Sequence, residues 1–229
     1  MWVKICANTN LDDALLAAEL GADALGFVFA ESQRQMSAEQ VAAITPHLPS
    51  HIEKVGVFYT HSAEEIAEIA LKAGLDTAQL HGGHDTALIE RLRELLGLNF
   101  GLVQTLHWIA DGSADSSFDI ASQLDLVRNS GGPDRVLVDS RVGRLGGGTG
   151  VSFDWRSARE VFRNHCRNLR LIAAGGLKPD NLAQAIELMQ PWGVDVASGV
   201  EATPGRKDPD RLARFLEIAK SRPVAAAAE

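Results

Sequence analysis

Residues 52–81 read IEKVGVFYTHSAEEIAEIALKAGLDTAQLH, and this stretch holds one whole strand–helix–strand unit. Its first part, KVGVFY at 54–59, is an almost unbroken apolar run, the pattern of a parallel strand buried on both faces. At Ser62 the period changes. Ser62 precedes AEEIAEI and offers a side-chain oxygen to the free amides of a first helical turn. The amphipathic stretch runs from Ser62 to Lys72, and Gly74 stands where the helix should stop. Asp76 then opens a second strand, DTAQLH.

The same alternation recurs outward in both directions, about once every 25 to 30 residues, the spacing of successive βα units. Strands are predicted to begin at Trp2, Asp23, Ile52, Asp76, Asn99, Arg135, Leu169 and Gly193. Ser37 before AEQVAAI and Asp154 before WRSAREVF are further helix caps, Gly21 is a further stop, and Asp85 to Leu96 is another amphipathic segment. Eight units close into a (β/α)8 barrel, whereas an open doubly wound sheet of this length carries fewer strands and a GxGxxG after its first strand, which is absent. The predicted architecture is therefore α/β, one (β/α)8 barrel over residues 1–222. The VAAAAE segment lies in a frayed tail at 223–229.

The formal net charge of -8 offers no long-range attraction to nucleic acid or anionic membrane, so neither is an expected partner. An anionic substrate then requires a local pocket. No run approaches the roughly 18 apolar residues of a membrane span, and Met1 leads into a strand without a signal-peptide pattern, so a cytoplasmic protein is expected. Cys6 and Cys166 fall on different kinds of element and are read as reduced thiols.

In such barrels the loops after the strands build the active site. Polar or glycine positions at those ends are Cys6 after WVKI, Arg34 after GFVF, His81 after DTAQL, Asp139 after RVLV, Gly175 and Gly176 after LRLIAA, and Ser198 and Gly199 after VDVA. Alternation places Cys6 on the face of Lys4 and His81 on that of Gln79, both toward the barrel interior. The first and sixth strands lie three steps apart in an eight-strand ring, so Cys6 and Asp139 should face one another across the mouth. Each alone has a plainer reading, as a buried thiol and a cap. Gly175, Gly176, Ser198 and Gly199 occupy the place where barrels bind phosphate through backbone amides. The segment GRLGGGTG at 143–150 reads as a closing lid. His81 and His84 have metal-like spacing but lack further ligands in sequence, so no metal is expected. The other five histidines are expected on helices and loops at the surface.

These residues form a recognisable set: KIC followed by NT at 4–9, SQR at 32–34, KVGVF at 54–58, QLHG at 79–82, GGTG with FDW at 147–155, AGGL at 174–177, and SGVE with PG at 198–205. In order and position, from Met1 to about residue 220, they resemble the phosphoribosylanthranilate isomerase family. The resemblance implies a cofactor-free Amadori rearrangement of N-(5-phosphoribosyl)anthranilate in tryptophan biosynthesis, with this small phosphorylated molecule as partner; the sequence leaves monomer and homodimer both open. It implies Cys6 as general base, Asp139 as general acid and Arg34 on the anthranilate carboxylate. It further implies amides near Gly175, Gly176, Ser198 and Gly199 on the phosphate, and His81 in the substrate site. Asp139 should then have a raised pKa, and Lys4 should either favour the Cys6 thiolate or simply fill the barrel.

Three positions depart from the family pattern. Ala7 replaces a glycine after KIC, Gln33 a proline before Arg34, and Ala197 a serine in the phosphate segment. A related histidine-pathway isomerase is expected to carry a carboxylate where Cys6 stands, and indole-glycerol-phosphate synthase a Lys and Glu set that is not found. A phosphometabolite-binding barrel without catalysis is the reading from a different class.

Overall fold

The computed structural model describes residues 1–109, 114–141, 155–165 and 168–221. The Asp154 cap, segment 143–150, Cys166 and the tail at 223–229 lie outside the described residues. Eight parallel strands close in sequence order, β1 (Trp2–Ile5), β2 (Ala24–Val28), β3 (Glu53–Phe58), β4 (Thr77–Leu80), β5 (Gly101–Ile109), β6 (Arg135–Arg141), β7 (Arg170–Ala174) and β8 (Gly193–Val196). Pairing of β1 with β8 seals the ring. All eight begin within two residues of the predicted positions.

Around them lie α1 (Leu11–Glu19), α2 (Ala38–Ala42), α3 (Ala63–Ala73), α4 (Thr86–Leu96), α5 (Ala114–Asn129), α6 (Trp155–His165), α7 (Pro179–Met189) and α8 (Pro209–Lys220). The helix signals act as read. Ser62 and Glu65 form a reciprocal capping box at the start of α3, Ser37 and Gln40 do so for α2, and Gly74 closes α3 in the left-handed region at φ 62°. None of the described helices is long and apolar enough to cross a membrane.

Period-two alternation divides the buried side chains between two cores. Val3, Ile5, Leu25, Phe27, Val136 and Val194 point outward and pack with Ile66, Leu92, Leu182 and Phe215 from the helices. Val103, Leu137, Ile172 and Ala174 form a smaller cluster inside the barrel, with Trp2 and Trp192 packed against it. The floor is polar: Arg135 pairs with Glu53 at 2.7 Å and donates to Thr77 Oγ1 at 3.2 Å. Gly101 is required beside them, because a Cβ there would stand 2.0 Å from Thr77 Oγ1. This filled interior is a packed support beneath the mouth.

A short antiparallel hairpin after β8, made of β9 (Glu201–Thr203) and β10 (Arg206–Lys207), has no counterpart in the sequence reading. Strands of two and three residues are too short to show alternation.

Candidate active site

All eight predicted site residues line one cavity of about 930 Å3 at the C-terminal ends of the strands: Cys6, Arg34, His81, Asp139, Gly175, Gly176, Ser198 and Gly199. They come from the segments after or at the ends of β1, β2, β4, β6, β7 and β8.

Cys6 follows β1, and its amide continues the barrel ladder by donating to the Val196 carbonyl at 2.8 Å. It is a free, buried thiol. One pleat below, Lys4 is 1 % exposed and donates to Asp195 Oδ1 at 2.7 Å. Gly26 on β2 makes room for both, since a Cβ there would lie 2.8 Å from Cys6 Sγ and 3.1 Å from Lys4 Cε. Burial pushes the Cys6 thiol up; Lys4 draws it down, Asp195 pushes it up and Lys207 draws it down, leaving it above its ordinary value. Lys4 thus favours the thiolate, one of the two roles left open by the sequence, but burial prevails. Burial also works against the Lys4 charge, and Asp195 with Cys6 overcomes it to hold the ammonium above its usual range.

Ala7 has φ 60°, in the left-handed region where glycine, the residue the resemblance led one to expect, is at ease. An alanine there carries strain of about 1–2 kcal/mol. Asn8, fully buried, holds this turn by donating its side-chain amide to the carbonyls of Ile5 at 2.7 Å and Gly26 at 3.2 Å.

Arg34 lies beyond β2, and its Nε and Nη2 donate to the Glu201 carboxylate, at 2.9 and 2.5 Å for the closest contacts. Side-chain hydrogen bonding to Glu201 holds the guanidinium above its ordinary pKa. Glu201 is buried and also stands 3.5 Å from Lys207 Nζ, which donates to the Cys6 carbonyl at 2.5 Å. Burial works to raise the Glu201 pKa, but Arg34 and Lys207 bring it below the usual carboxylate value. Burial lowers the Lys207 pKa. Neither Glu201 nor Lys207 was singled out from sequence. The available signal was weak: two charged residues six apart, flanking a Pro-Gly turn next to a phosphate-type segment.

At the far side of the mouth, Gly175 and Gly176 follow β7 with φ of 82° and 64°. After β8 a short 3-10 helix covers Ser198–Val200. Gly199 packs so closely that a Cβ would stand 1.8 Å from the Leu177 carbonyl oxygen. Consecutive left-handed glycines and the start of a short helix are the backbone types from which anion-binding nests are built.

His81 donates its backbone amide to Phe58 O at 2.8 Å, just past β4. Its partner in space is His107, not His84, whose Nε2 instead lies 3.3 Å from Thr86 Oγ1. The expectation that the five remaining histidines lie on helices and loops therefore fails at His107. It belongs to β5, directly opposite Asp139 in register on β6. The strand runs on to Ile109, and the mixed sequence LVQTLHW hides which residues face inward.

Fold and mouth together define a (β/α)8-barrel enzyme with a thiol, a carboxyl group and a guanidinium gathered around a glycine-lined rim. Residues 3–218 match the family model for N-(5'-phosphoribosyl)anthranilate isomerase. The N-(5'-phosphoribosyl)anthranilate isomerase of Rubrobacter xylanophilus is 38% identical over 220 residues, 96% of this chain and 98% of that one, and its Thermotoga neapolitana counterpart is 39% identical over 219 residues, 95% and 98%. The crystal structure of phosphoribosyl anthranilate isomerase from Thermotoga maritima superposes with a TM-score of 0.83 at 34% identity, over 97% of this chain and 100% of that one. Another solved isomerase, in complex with reduced 1-(o-carboxyphenylamino)-1-deoxyribulose 5-phosphate, gives 0.78 at 32% identity with the same coverage. This chain belongs to the N-(5'-phosphoribosyl)anthranilate isomerase family.

Proposed function

We propose that this protein converts N-(5-phosphoribosyl)anthranilate to 1-(2-carboxyphenylamino)-1-deoxyribulose 5-phosphate, the Amadori step of tryptophan biosynthesis, in the cytoplasm and without a cofactor. The observation that carries the reading is the single cavity lined by all eight residues from six strand ends. Residues 1–222 are proposed to act as one barrel unit.

In this reading the phosphate is held by backbone amides near Gly175, Gly176, Ser198 and Gly199, and the anthranilate carboxylate by Arg34, with His81 beside the substrate. Asp139, half-buried at the mouth, acts in its protonated form. It gives its proton to the ribose ring oxygen as the C1–O bond breaks, leaving a free hydroxyl and a protonated Schiff base. The positive nitrogen makes the C2 proton acidic. Cys6 as thiolate removes that proton, the C2–H electrons form C1=C2, and the C=N pair returns to nitrogen. The C2 hydroxyl of the resulting enol then releases its proton, its O–H electrons form the C2 ketone, and the C1=C2 pair takes a proton onto C1, so the net proton count is unchanged. One acid and one base supply the steps, each on the scale of about 10²–10⁴-fold.

The test follows loss of substrate fluorescence with the native chain, Cys6→Ala and Asp139→Asn. Turnover by the native chain with losses of at least about 10²-fold in each variant is expected. No native turnover, or a folded variant with near-native kcat, refutes the assignment. For Arg34→Ala a raised KM is expected, and an unchanged one removes Arg34 from substrate binding.

A further inference from the structure

We propose that His81, His107 and Asp139 form a binding site for a divalent first-row transition metal, zinc above all, and that its occupation inhibits the isomerase by capturing Asp139. Only the inhibitory half rests on the function proposed above.

The three residues come from neighbouring strands, with His81 just past the end of β4, His107 on β5 and Asp139 on β6. One ligand atom from each lies within 4.8 Å of the others. Donor atoms around tetrahedral zinc stand roughly 3.3 Å apart, given bond lengths near 2.0–2.1 Å. Closing the set therefore needs a contraction of about 1.5 Å, within reach of side-chain rotation alone. Two imidazoles and a carboxylate match the three-ligand pattern of zinc sites that keep an open position. The cavity lined by His81 and Asp139 supplies that position.

A second observation points the same way. His107 Nε2 lies 3.1 Å from the His81 carbonyl oxygen. A carbonyl only accepts, so Nε2 carries the proton and Nδ1 of the neutral ring carries the lone pair. Metal-ligating histidines are typically oriented by this kind of bond from the other ring nitrogen to a backbone carbonyl. The His81 and His107 rings meet edge to face at 4.8 Å, which keeps both imidazoles at the same spot.

The cost to catalysis follows from charge. A carboxylate bound to a dication stays ionised, so it has no proton for the ring oxygen. Zinc should thus inhibit, and removal by chelator should restore activity.

The experiment titrates metal-free protein with Co2+, reading ligand-field absorbance, and then displaces it with Zn2+. Zn2+ inhibition of isomerase turnover is measured in parallel. The variants are His107→Ala and His107→Gln, the latter still able to donate to the His81 carbonyl. Cys6→Ser serves as a control for binding alone. Binding by the native chain and by Cys6→Ser, weakened at least about tenfold in both His107 variants with turnover retained, is expected. No Co2+ spectrum, equal binding in the His107 variants, or loss of binding in Cys6→Ser overturns the site. Binding without inhibition in an active protein overturns the inhibitory role, and an inactive protein that still binds leaves the site standing while the isomerase reading falls.

Discussion

Lys4 and Asp195 form a buried ion pair, Nζ to Oδ1 at 2.7 Å, one pleat below the Cys6 thiol. The ammonium is already matched by a carboxylate before the thiol is considered, which blunts its power to stabilise a thiolate. Replacing one partner should therefore move Cys6 in opposite directions. In a Cys166→Ser background, Asp195→Asn leaves Lys4 as an unbalanced cation and should lower the pH at which Cys6 is alkylated. Lys4→Met removes the cation and should raise it. Either substitution should also destabilise the fold by about 3–5 kcal/mol, because it strands a buried charge. An alkylation profile that does not move in Asp195→Asn contradicts this electrostatic account.

The pH dependence of turnover follows from the same thiol. Burial pushes its pKa up from the ordinary thiol value, so only the thiolate fraction of Cys6 acts as a base and that fraction grows with pH. While Asp139 stays protonated, kcat/KM should rise by about tenfold per pH unit as the thiolate fraction grows, and it should flatten where Asp139 ionises, because turnover needs both forms at once. Stability should run the other way. A group whose pKa is raised by folding contributes fully below its unfolded value, and that contribution fades as pH climbs through the folded one. In a Cys166→Ser background, a Cys6 alkylation rate already independent of pH at pH 7 removes the burial of the thiol from this account.

Ala7 holds φ at 60°, where glycine is favoured. Ala7→Gly relieves strain of about 1–2 kcal/mol and adds roughly 0.5–1 kcal/mol of unfolded-chain entropy. Ala7 stands in the wall of the mouth cavity. The net expectation is a gain of about 0.5–1 kcal/mol. Denaturant unfolding should show a higher midpoint at unchanged slope, and a lower midpoint would mean the alanine is well accommodated.

Glu201 is placed to position Arg34, with a bidentate contact to the guanidinium and a further link to Lys207. Two of the guanidinium nitrogens are taken up by it, so a bound carboxylate meets Arg34 mainly through Nη1. Glu201→Gln keeps one acceptor and should raise KM by about tenfold with kcat little changed, while Glu201→Ala should do more. A fall in kcat at constant KM would instead tie Glu201 to the chemical step through Lys207 and the Cys6 loop.

Local signals along the chain set the βα units and where they begin. Ser62, Gly74 and the apolar run at 54–59 act over one or two turns of chain, so their effect is readable from their neighbours. The predicted start at Ile52 is observed at Glu53, and that at Asn99 at Gly101. The eight mouth residues were readable too, because the end of a strand is a local property and the barrel puts all such ends on one rim. Tertiary structure decided which side chains meet there. Lys4 and Asp195 are 191 positions apart, and Arg34 and Glu201 are 167 apart. Only closure of β1 on β8 and the hairpin after it bring them together. The same holds for His107 beside His81 and opposite Asp139, a neighbourhood set by the register of β4, β5 and β6. Local patterns carry the period of each strand, but register between strands is settled by packing of the whole ring. The electrostatics of Cys6 belong to that second level.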